Sequence, residues 1–251
     1  MKTQKLRFMI FGIAAAVMAA GLTGCPIREF VDQEYTEVRE FAPGGQLNVQ
    51  SIIGDVTVSA WNQNSVSITY RKKVSVFYRW FGPAPDPDIY FDQMAVVIET
   101  SANTPGLTVR DVMPVTVDRP YSPSIELDIK MPARAILNVG QDVGDVTITG
   151  IHGTLVAQVN VGDLTINHPL PLAGESIASA VQIGDTKLYL PEGSAFDAEA
   201  ITRVGRITAS EFWGINVVND GLGAQAAGRV NGGGANVNLD TDIGDIAFLR
   251  E

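Results

Sequence analysis

The sequence is poor in cysteine, in histidine and in basic residues, and each shortage excludes a class of protein. One cysteine in 251 residues excludes an internal disulfide. Lys and Arg number 18 against 28 Asp and Glu, a net charge of −10, which argues against a nucleic-acid partner because phosphate neutralisation needs clustered basic residues. No phosphate loop, dinucleotide fingerprint or nucleophile elbow is present, so we predict no cofactor. The acidic surface instead favours cations or cationic peptides.

Long segments with apolar residues at i, i+3, i+4 and i+7 are also lacking after residue 24, so little helix is expected there. What the chain does contain is a repeated hexad, Ile-Gly-Asp-Val-Thr-Val at 53–58. Copies of it lie at 143–148, 161–166, 183–188, 204–209 and 243–248. An apolar β-branched residue precedes each glycine, and apolar residues mostly occupy the second and fourth positions after it. This alternation predicts a short strand in one structural unit that is used many times.

The Gly-Asp pair predicts a corner before each strand. Glycine tolerates a positive φ, and the aspartate can bond its own backbone two residues on, which closes an Asx-type turn. A bulge or corner at this point would restore the inward phase, so the residue before the glycine is expected to face inward.

The spacing of the glycines predicts how the units assemble. From Gly144 they advance by 18, 22 and 21 residues to Gly205, and then by 39 to Gly244. About twenty residues per turn favours an all-β chain folded as a β-solenoid, in which each coil covers the one before. The last gap predicts a hidden coil through Val217, Val218 and the loop 221–234. Short strands with regular turns also suit a β-sandwich or barrel. We predict one domain over 41–251, with 71–131 as a more irregular N-terminal part of the same stack.

The N-terminus has the pattern of an export signal. Three basic residues precede an apolar run at 8–22, which ends in Leu-Thr-Gly-Cys at 22–25. This pattern resembles the lipobox of bacterial lipoproteins and predicts a signal peptide over 1–24, lipidation of Cys25 and a tether over 25–40. The partner is then the lipid bilayer, and Pro26, in place of an aspartate, favours the outer membrane in a cell that has two. The alternative is an ordinary secreted protein with a free thiol.

The order of these elements resembles a known family. Leu-Asn-Val at 47–49 and Gly-Asp-Val-Thr-Val at 54–58 are followed by a long insertion, by Glu-Leu-Asp-Ile-Lys-Met-Pro at 126–132 and by the copies from Gly144 onward. This order is similar to the DUF4097 group of adhesin-like bacterial envelope proteins, over about residues 40–250. The resemblance implies a non-enzymatic β-solenoid with a role in adhesion or envelope stress, and it brings no catalytic residues.

A cluster of aromatic residues is the first candidate contact surface. It comprises Phe77, Tyr78, Arg79, Trp80, Phe81, Tyr90 and Phe91. Aromatic residues and arginine are enriched at interface hot spots and sugar-stacking sites. The alternatives are that this segment caps the open end of the stack, or that it contacts a membrane surface.

The aspartates of the hexads are the second candidate. Asp145, Asp163 and Asp185 would form a ladder in registered coils, and a calcium ion would relieve their repulsion. Structural Asx turns are the alternative role. The two histidines, His152 and His168, lie 16 residues apart in turn-like contexts and could stack on neighbouring turns, although exposed loop positions are the expectation.

These patterns favour a non-catalytic envelope lipoprotein that acts as a binding, adhesion or envelope-stress module. Its partner would be an envelope polymer, a cationic peptide or another envelope protein. A self-associating structural scaffold is the second hypothesis, and a carbohydrate-active β-helix enzyme is the third. The basic residues do not repeat with the acids along a groove, which disfavours the enzyme.

Overall fold

The computed structural model describes residues 27–42, 44–77, 86–100, 106–118 and 120–251. Over these residues the chain is all-β, with one short helix, α1 (Asp88–Phe91). Two large mixed sheets contain the strands, and neither sheet closes on itself. The prediction of an all-β chain is confirmed at this level.

Strand numbers follow the chain, whereas the order of strands within each sheet is spatial. The nine-stranded sheet of the described residues contains β1 (Ile27–Glu40), β4 (Ser65–Phe77), β7 (Tyr121–Pro132), β3 (Val56–Trp61), β9 (Val146–Thr149), β11 (Leu164–Asn167), β13 (Thr186–Leu190), β19 (Ile246–Arg250) and β15 (Ile207–Thr208). The ten-stranded sheet contains β16 (Ile215–Asp220), β17 (Gly223–Val230), β14 (Phe196–Val204), β18 (Ala235–Ile243), β12 (Ser176–Ile183), β10 (Thr154–Val161), β8 (Ile136–Val143), β2 (Gln46–Ile53), β6 (Gly106–Val112) and β5 (Ala95–Thr100).

Each hexad joins the two sheets in the same way. A strand of the ten-stranded sheet runs to the Gly-Asp corner, and a strand of the nine-stranded sheet follows; we call this strand–corner–strand segment a repeat unit. Neighbouring repeat units pair in parallel and in register, as Val56 with Val146 and Val146 with Leu164 do. Alternate residues of both strands point into a shared core, and Val56, Val58 and Ile148 are buried there.

The repeat units do not stack in chain order, in contrast to the serial stack predicted from the spacing. The unit β18–β19, last in the chain, lies between the units β12–β13 and β14–β15. At the other end, β2–β3 lies between β6–β7 and β8–β9. Spacing along the chain could not reveal this, because every unit carries the same inward pattern and fits any neighbour.

The predicted hidden coil between Gly205 and Gly244 is wrong. Residues 215–230 form an antiparallel hairpin of β16 and β17 at the edge of the ten-stranded sheet, and β17 pairs antiparallel with β14. Gly221 and Leu222 make the connection, with Asp220 paired to Gly223. A two-residue connection of this kind selects a hairpin.

The segment interpreted as a tether also differs in the structure. Most of it is β1, which pairs antiparallel with β4 from Ile27 opposite Phe77 to Glu40 opposite Ser65. The Tyr35 ring stacks on Tyr70 with 5.0 Å between centroids. Charged residues on an edge strand face solvent, and this made the sequence look like a linker. The interrupted region 71–131 supplies β6 and β7, which continue the parallel stack beside β2 and β3.

The residues before the corner glycines keep the inward phase that was expected but are not buried. Val143, Val161, Ile183, Val204 and Ile243 are 43–50% exposed. Each of them lies at the end of its strand, next to the corner. The facing sheet covers the inward residues earlier in the strand but does not cover this one.

Candidate functional site

The corner glycines are required by both conformation and space. Their φ angles lie between 131° and 153°, a region that other residues rarely adopt. A Cβ on Gly162 would lie 2.1 Å from the carbonyl oxygen of Gly144, the equivalent glycine of the neighbouring unit. The Gly162 N–H donates to the Ile183 carbonyl at 2.9 Å on the other side. Backbones of adjacent units therefore meet at the corner with no room for a side chain.

The aspartate that follows each glycine bonds to the next repeat unit and not to its own turn. Oδ1 of Asp145 accepts the backbone N–H of Asp163 at 2.8 Å, and Oδ1 of Asp163 accepts that of Asp185 at 2.9 Å. The same bond joins Asp55 to Asp145, Asp185 to Asp245, and Asp245 to Arg206. The Asx-type turn proposed from sequence is thus replaced by a ladder between units. Arg206 takes the place of the aspartate in β14–β15, the unit at the end of the stack. Among the described residues no further unit follows there whose N–H a carboxylate could accept.

Calcium binding by Asp145, Asp163 and Asp185 stays a prediction. One oxygen of each is engaged by a backbone N–H. Among the described residues no group of three or more His, Cys, Asp or Glu side chains is arranged to hold a metal ion.

The aromatic candidates fall into two groups. Tyr78, Arg79, Trp80 and Phe81, like Cys25 and the predicted signal peptide, lie outside the described residues, and Phe77 ends β4. Tyr90 and Phe91 lie on α1 and pack against the core, with Tyr90 fully buried. The Tyr90 hydroxyl accepts the N–H of Asp118 at 3.0 Å, and its ring lies 4.9 Å from Tyr121. These two residues hold the helix and its flanking loop in place and offer little surface to a partner.

The two histidines lie in neighbouring loops, His152 after β9 and His168 after β11, and their ring centroids are 5.9 Å apart. His152 Nδ1 lies 3.0 Å from Glu175 Oε1, and Glu175 also accepts the N–H groups of Gly153 and Leu172. His168 is buried, in contrast to the exposed loop position expected, and burial lowers the pKa of its imidazole. Because Glu175 accepts N–H groups from the loop after β9 and from the loop after β11, the cluster holds these two loops together.

A polar cleft of about 460 Å³ opens on the outer face of the ten-stranded sheet. It is lined by Gln50, Ser51, Ile52, Arg110, Asp111, Gly140, Gln141, Asp142, Gln158 and Asn160. Gly140 lies between Gln50 and Gln158 in the paired strands. Since glycine has no side chain, a gap opens between the two glutamines. No aromatic residue of the described part of the chain lines the cleft, and nearly all the groups that do line it donate or accept hydrogen bonds.

Two polar side chains of the cleft occupy inward positions of their strands. Asp111 follows buried Leu107 and Val109 in β6, and Gln141 follows the inward residues of β8. The Asp111 carboxylate accepts the Ile52 N–H at 2.9 Å and the Ser51 hydroxyl at 3.0 Å. Burial raises the pKa of Asp111, against the lowering effect of these hydrogen bonds.

Gln141 is also buried, on the other side of β2, where it pairs with Ser51. Its Nε2 donates to the carbonyls of Gly54 at 2.8 Å and Val143 at 2.7 Å, while its Oε1 has no hydrogen-bond partner among the described residues. Sequence reasoning missed this pair. The available signal was a polar residue where the alternation of the strand calls for an apolar one.

A second groove, of about 220 Å³, lies on the nine-stranded sheet beside Asp55, Thr57, Asp128 and Arg71. Its basic group is already engaged, because Arg71 donates to Glu34 at 2.7 Å and lies 3.6 Å from Glu126. The cleft around Gly140 is therefore the better candidate for a ligand.

Comparisons with known proteins identify the fold. The chain is similar to a "putative cell adhesion protein" from Clostridium sporogenes, with 13% identity, a TM-score of 0.50, and coverage of 87% of this chain and 100% of that one. It is also similar to a "putative adhesin" from Bacteroides fragilis, with 12% identity, a TM-score of 0.33, and coverage of 86% and 97%. At this identity the first likeness concerns fold alone, and the second score is too low to carry an argument.

No family model matches the chain, and no curated protein matches it either. Within the described residues, no helix has the length and apolar character needed to cross a membrane.

Proposed function

We propose that this protein is a non-catalytic binding or adhesion module of the bacterial envelope, and that its cleft around Gly140 binds a hydroxyl-rich envelope glycan. The observation that carries the proposal is the cleft itself, whose amide, carboxylate and guanidinium groups lie on the flat face of paired strands. Such groups can exchange hydrogen bonds with sugar hydroxyls. Rigid strands hold them in place, so little ordering cost accompanies binding.

The bonding of the cleft carboxylates supports a non-catalytic role. Asp111 already accepts bonds from Ile52 and Ser51, and Asp142 accepts the Asn160 side chain at 2.9 Å. These bonds orient both carboxylates within the wall of the cleft, where they fix its shape.

The parallel repeat units support a β-solenoid as the finer description of the scaffold. Each unit contributes one strand to each of the two sheets, and units that are neighbours in the stack pair in register. The Asp ladder and the close glycine contacts repeat at every corner. This regularity provides a stiff body that carries the cleft.

Attachment through a lipid on Cys25 is the second part of the proposal, and it places the module in the outer membrane of a cell with two membranes. The Leu-Thr-Gly-Cys pattern after an apolar run supports it. Cys25→Ala is expected to move the protein from the membrane fraction to the soluble fraction. Unchanged fractionation would refute the anchor and leave the binding proposal intact.

Filling the gap at Gly140 tests the cleft. A Cβ at this position meets no atom closer than 3.9 Å, so Gly140→Thr fits the strand and blocks the space between Gln50 and Gln158. Ala180→Thr is the matched control, since Ala180 pairs with Gln158 on the other side of the cleft and does not line it.

The probe is peptidoglycan sacculi, mixed with the mature chain (residues 25–251) carrying Cys25→Ala. We expect the protein with an unaltered cleft to sediment with the sacculi, and Ala180→Thr to do the same. Gly140→Thr should bind the sacculi at least tenfold more weakly. No sedimentation of the wild type, or equal binding by both threonine variants, would count against the cleft as the glycan site.

Self-association is a second candidate function, favoured by the edge strand β16. Residues Ile215–Asp220 carry no lysine, arginine or proline, the residues that usually guard a free edge. Sedimentation velocity at increasing concentration tests it, and a strict monomer would remove it.

A further inference from the structure

The six residues before the corner glycines form one continuous apolar ridge, in which Ile53 is partly buried and the other five are exposed. Ile53 pairs with Val143, and Val143 with Val161. Ile183 follows, then Ile243 and Val204. Five steps of roughly 4.8 Å give the ridge a length of about 24 Å. Single exposed apolar residues are ordinary on a protein surface, but six aligned β-branched residues are an apolar patch that calls for a role.

The core does not require this ridge. The inward positions of each unit already fill the space between the sheets, and Val159, Val146 and Leu164 are buried there. Five of the six ridge side chains are 43–50% exposed and Ile53 is partly buried. A polar β-branched residue such as threonine would satisfy the strand equally well. Apolar character at all six positions therefore points to a surface that is covered by a partner.

Acidic residues flank the ridge on both sides. Two positions after the ridge residues lies the Asp ladder, with five aspartates and Arg206 at its end. One position before them lie Asp142 and Asp242, together with Ile52, Asn160, Gln182 and Arg203. Arg203 is neutralised locally by Asp240 and Asp242. Seven aspartates against two arginines leave the borders of the ridge strongly negative.

We propose that this ridge docks a cationic amphipathic helix of another protein or peptide. The apolar face of the helix would cover the β-branched ridge, and its flanking lysines and arginines would face the aspartate borders. A helix of about 16 residues matches the ridge length at 1.5 Å per residue.

The charge decides among possible occupants. A second copy of this chain would bring its own aspartate borders against these, and like charges in contact repel. A membrane surface rich in anionic lipid would be repelled in the same way. A basic helix meets both the apolar and the acidic parts of the surface.

The test uses a synthetic 18-residue peptide of leucine and lysine, with the leucines spaced i, i+3, i+4, i+7 to form one apolar face. Its binding to the mature chain carrying Cys25→Ala is measured by fluorescence anisotropy. The triple variant Val161→Thr, Ile183→Thr, Ile243→Thr removes apolar surface and keeps the β-branched shape of each side chain. None of the three replaced residues lines the cleft. Its urea-unfolding midpoint establishes that it is folded.

We expect the wild type to bind the peptide and the triple threonine variant to bind at least tenfold more weakly. Val218→Thr with Leu222→Thr changes two exposed apolar residues elsewhere and should bind as the wild type does. Asp163→Asn with Asp185→Asn keeps the ladder acceptors, and it should weaken binding at low salt and flatten its salt dependence.

Three results would overturn the proposal. The triple variant could bind as tightly as the wild type, the wild type could fail to bind, or a scrambled peptide of the same composition could bind equally well, which would show attraction by charge alone. A wild-type dimer that the triple variant abolishes would assign the ridge to a second copy. Gly140→Thr should leave peptide binding unchanged, so this test is independent of the glycan proposal.

Discussion

Replacing a corner glycine by alanine tests why every repeat unit keeps one. Gly162→Ala places a Cβ 2.1 Å from the Gly144 carbonyl oxygen, at a φ of 142°. The backbone strain costs about 1–3 kcal/mol. The clash adds about 1–3 kcal/mol, because the obstructing atom belongs to the backbone and cannot rotate away. We expect Gly162→Ala to lower the free energy of unfolding by about 2–6 kcal/mol, the sum of these terms.

Two other glycines separate these causes. Gly193 has a φ of 86° but nothing within 4 Å of its Cβ position, so Gly193→Ala should show the strain alone. Gly140 has neither a positive φ nor a close neighbour, and Gly140→Ala should be neutral or slightly stabilising. Urea unfolding of the mature chain, followed by tryptophan fluorescence, measures all three. If Gly162→Ala costs no more than Gly193→Ala, the close approach of the corners does not contribute to stability.

Asp163→Ala should cost about 0.5–1.5 kcal/mol, since it removes the acceptor of the Asp185 N–H, while Asp163→Asn should cost less; equal stabilities by urea unfolding would contradict this. His168 has a pKa lowered by burial, so stability should fall as the pH drops below about 6.5 and the unfolded chain takes up a proton. His168→Leu should lose less stability than the wild type between pH 7 and 5, and parallel curves would refute this. Burial raises the pKa of Asp111 in the folded protein, so the folded state holds this proton to a higher pH than the unfolded chain does. The wild type should therefore lose stability relative to Asp111→Asn as the pH rises from about 4 through the folded-state pKa. A difference in unfolding free energy that stays constant over this range would contradict the prediction.

The hexad allowed the strands and corners to be predicted, because both depend on residues that are close in the chain. Val56 and Val58 alternate with Thr57, and the glycine marks the break. The partner of each aspartate could not be predicted, since the N–H that it accepts belongs to another unit 18 to 90 residues away. The sequence suggested a local Asx turn or a calcium ion as the partner of the carboxylate, and neither is the backbone N–H of another unit.

The cleft is the opposite case, because its signal was present and was not used. Asp111 and Gln141 each continue a buried apolar alternation with a polar side chain, and the two lie in strands on either side of β2. Aromatic composition drew attention instead to Tyr90 and Phe91, which pack against the core. Aromatic residues suit an interface and a core equally well, and only packing separates the two.

The placement of β18–β19 inside the stack has a consequence for how the chain is made. The unit β18–β19 is synthesised after β14–β15 and fills the slot between β12–β13 and β14–β15, which pair with it and not with each other. Until residues 235–250 are available, the preceding units cannot complete their backbone pairing. A chain that crosses a membrane as an extended polypeptide would therefore stay open until residues 235–250 emerge, and a nascent chain cut short before residue 235 would be left with a gap in the body of the stack.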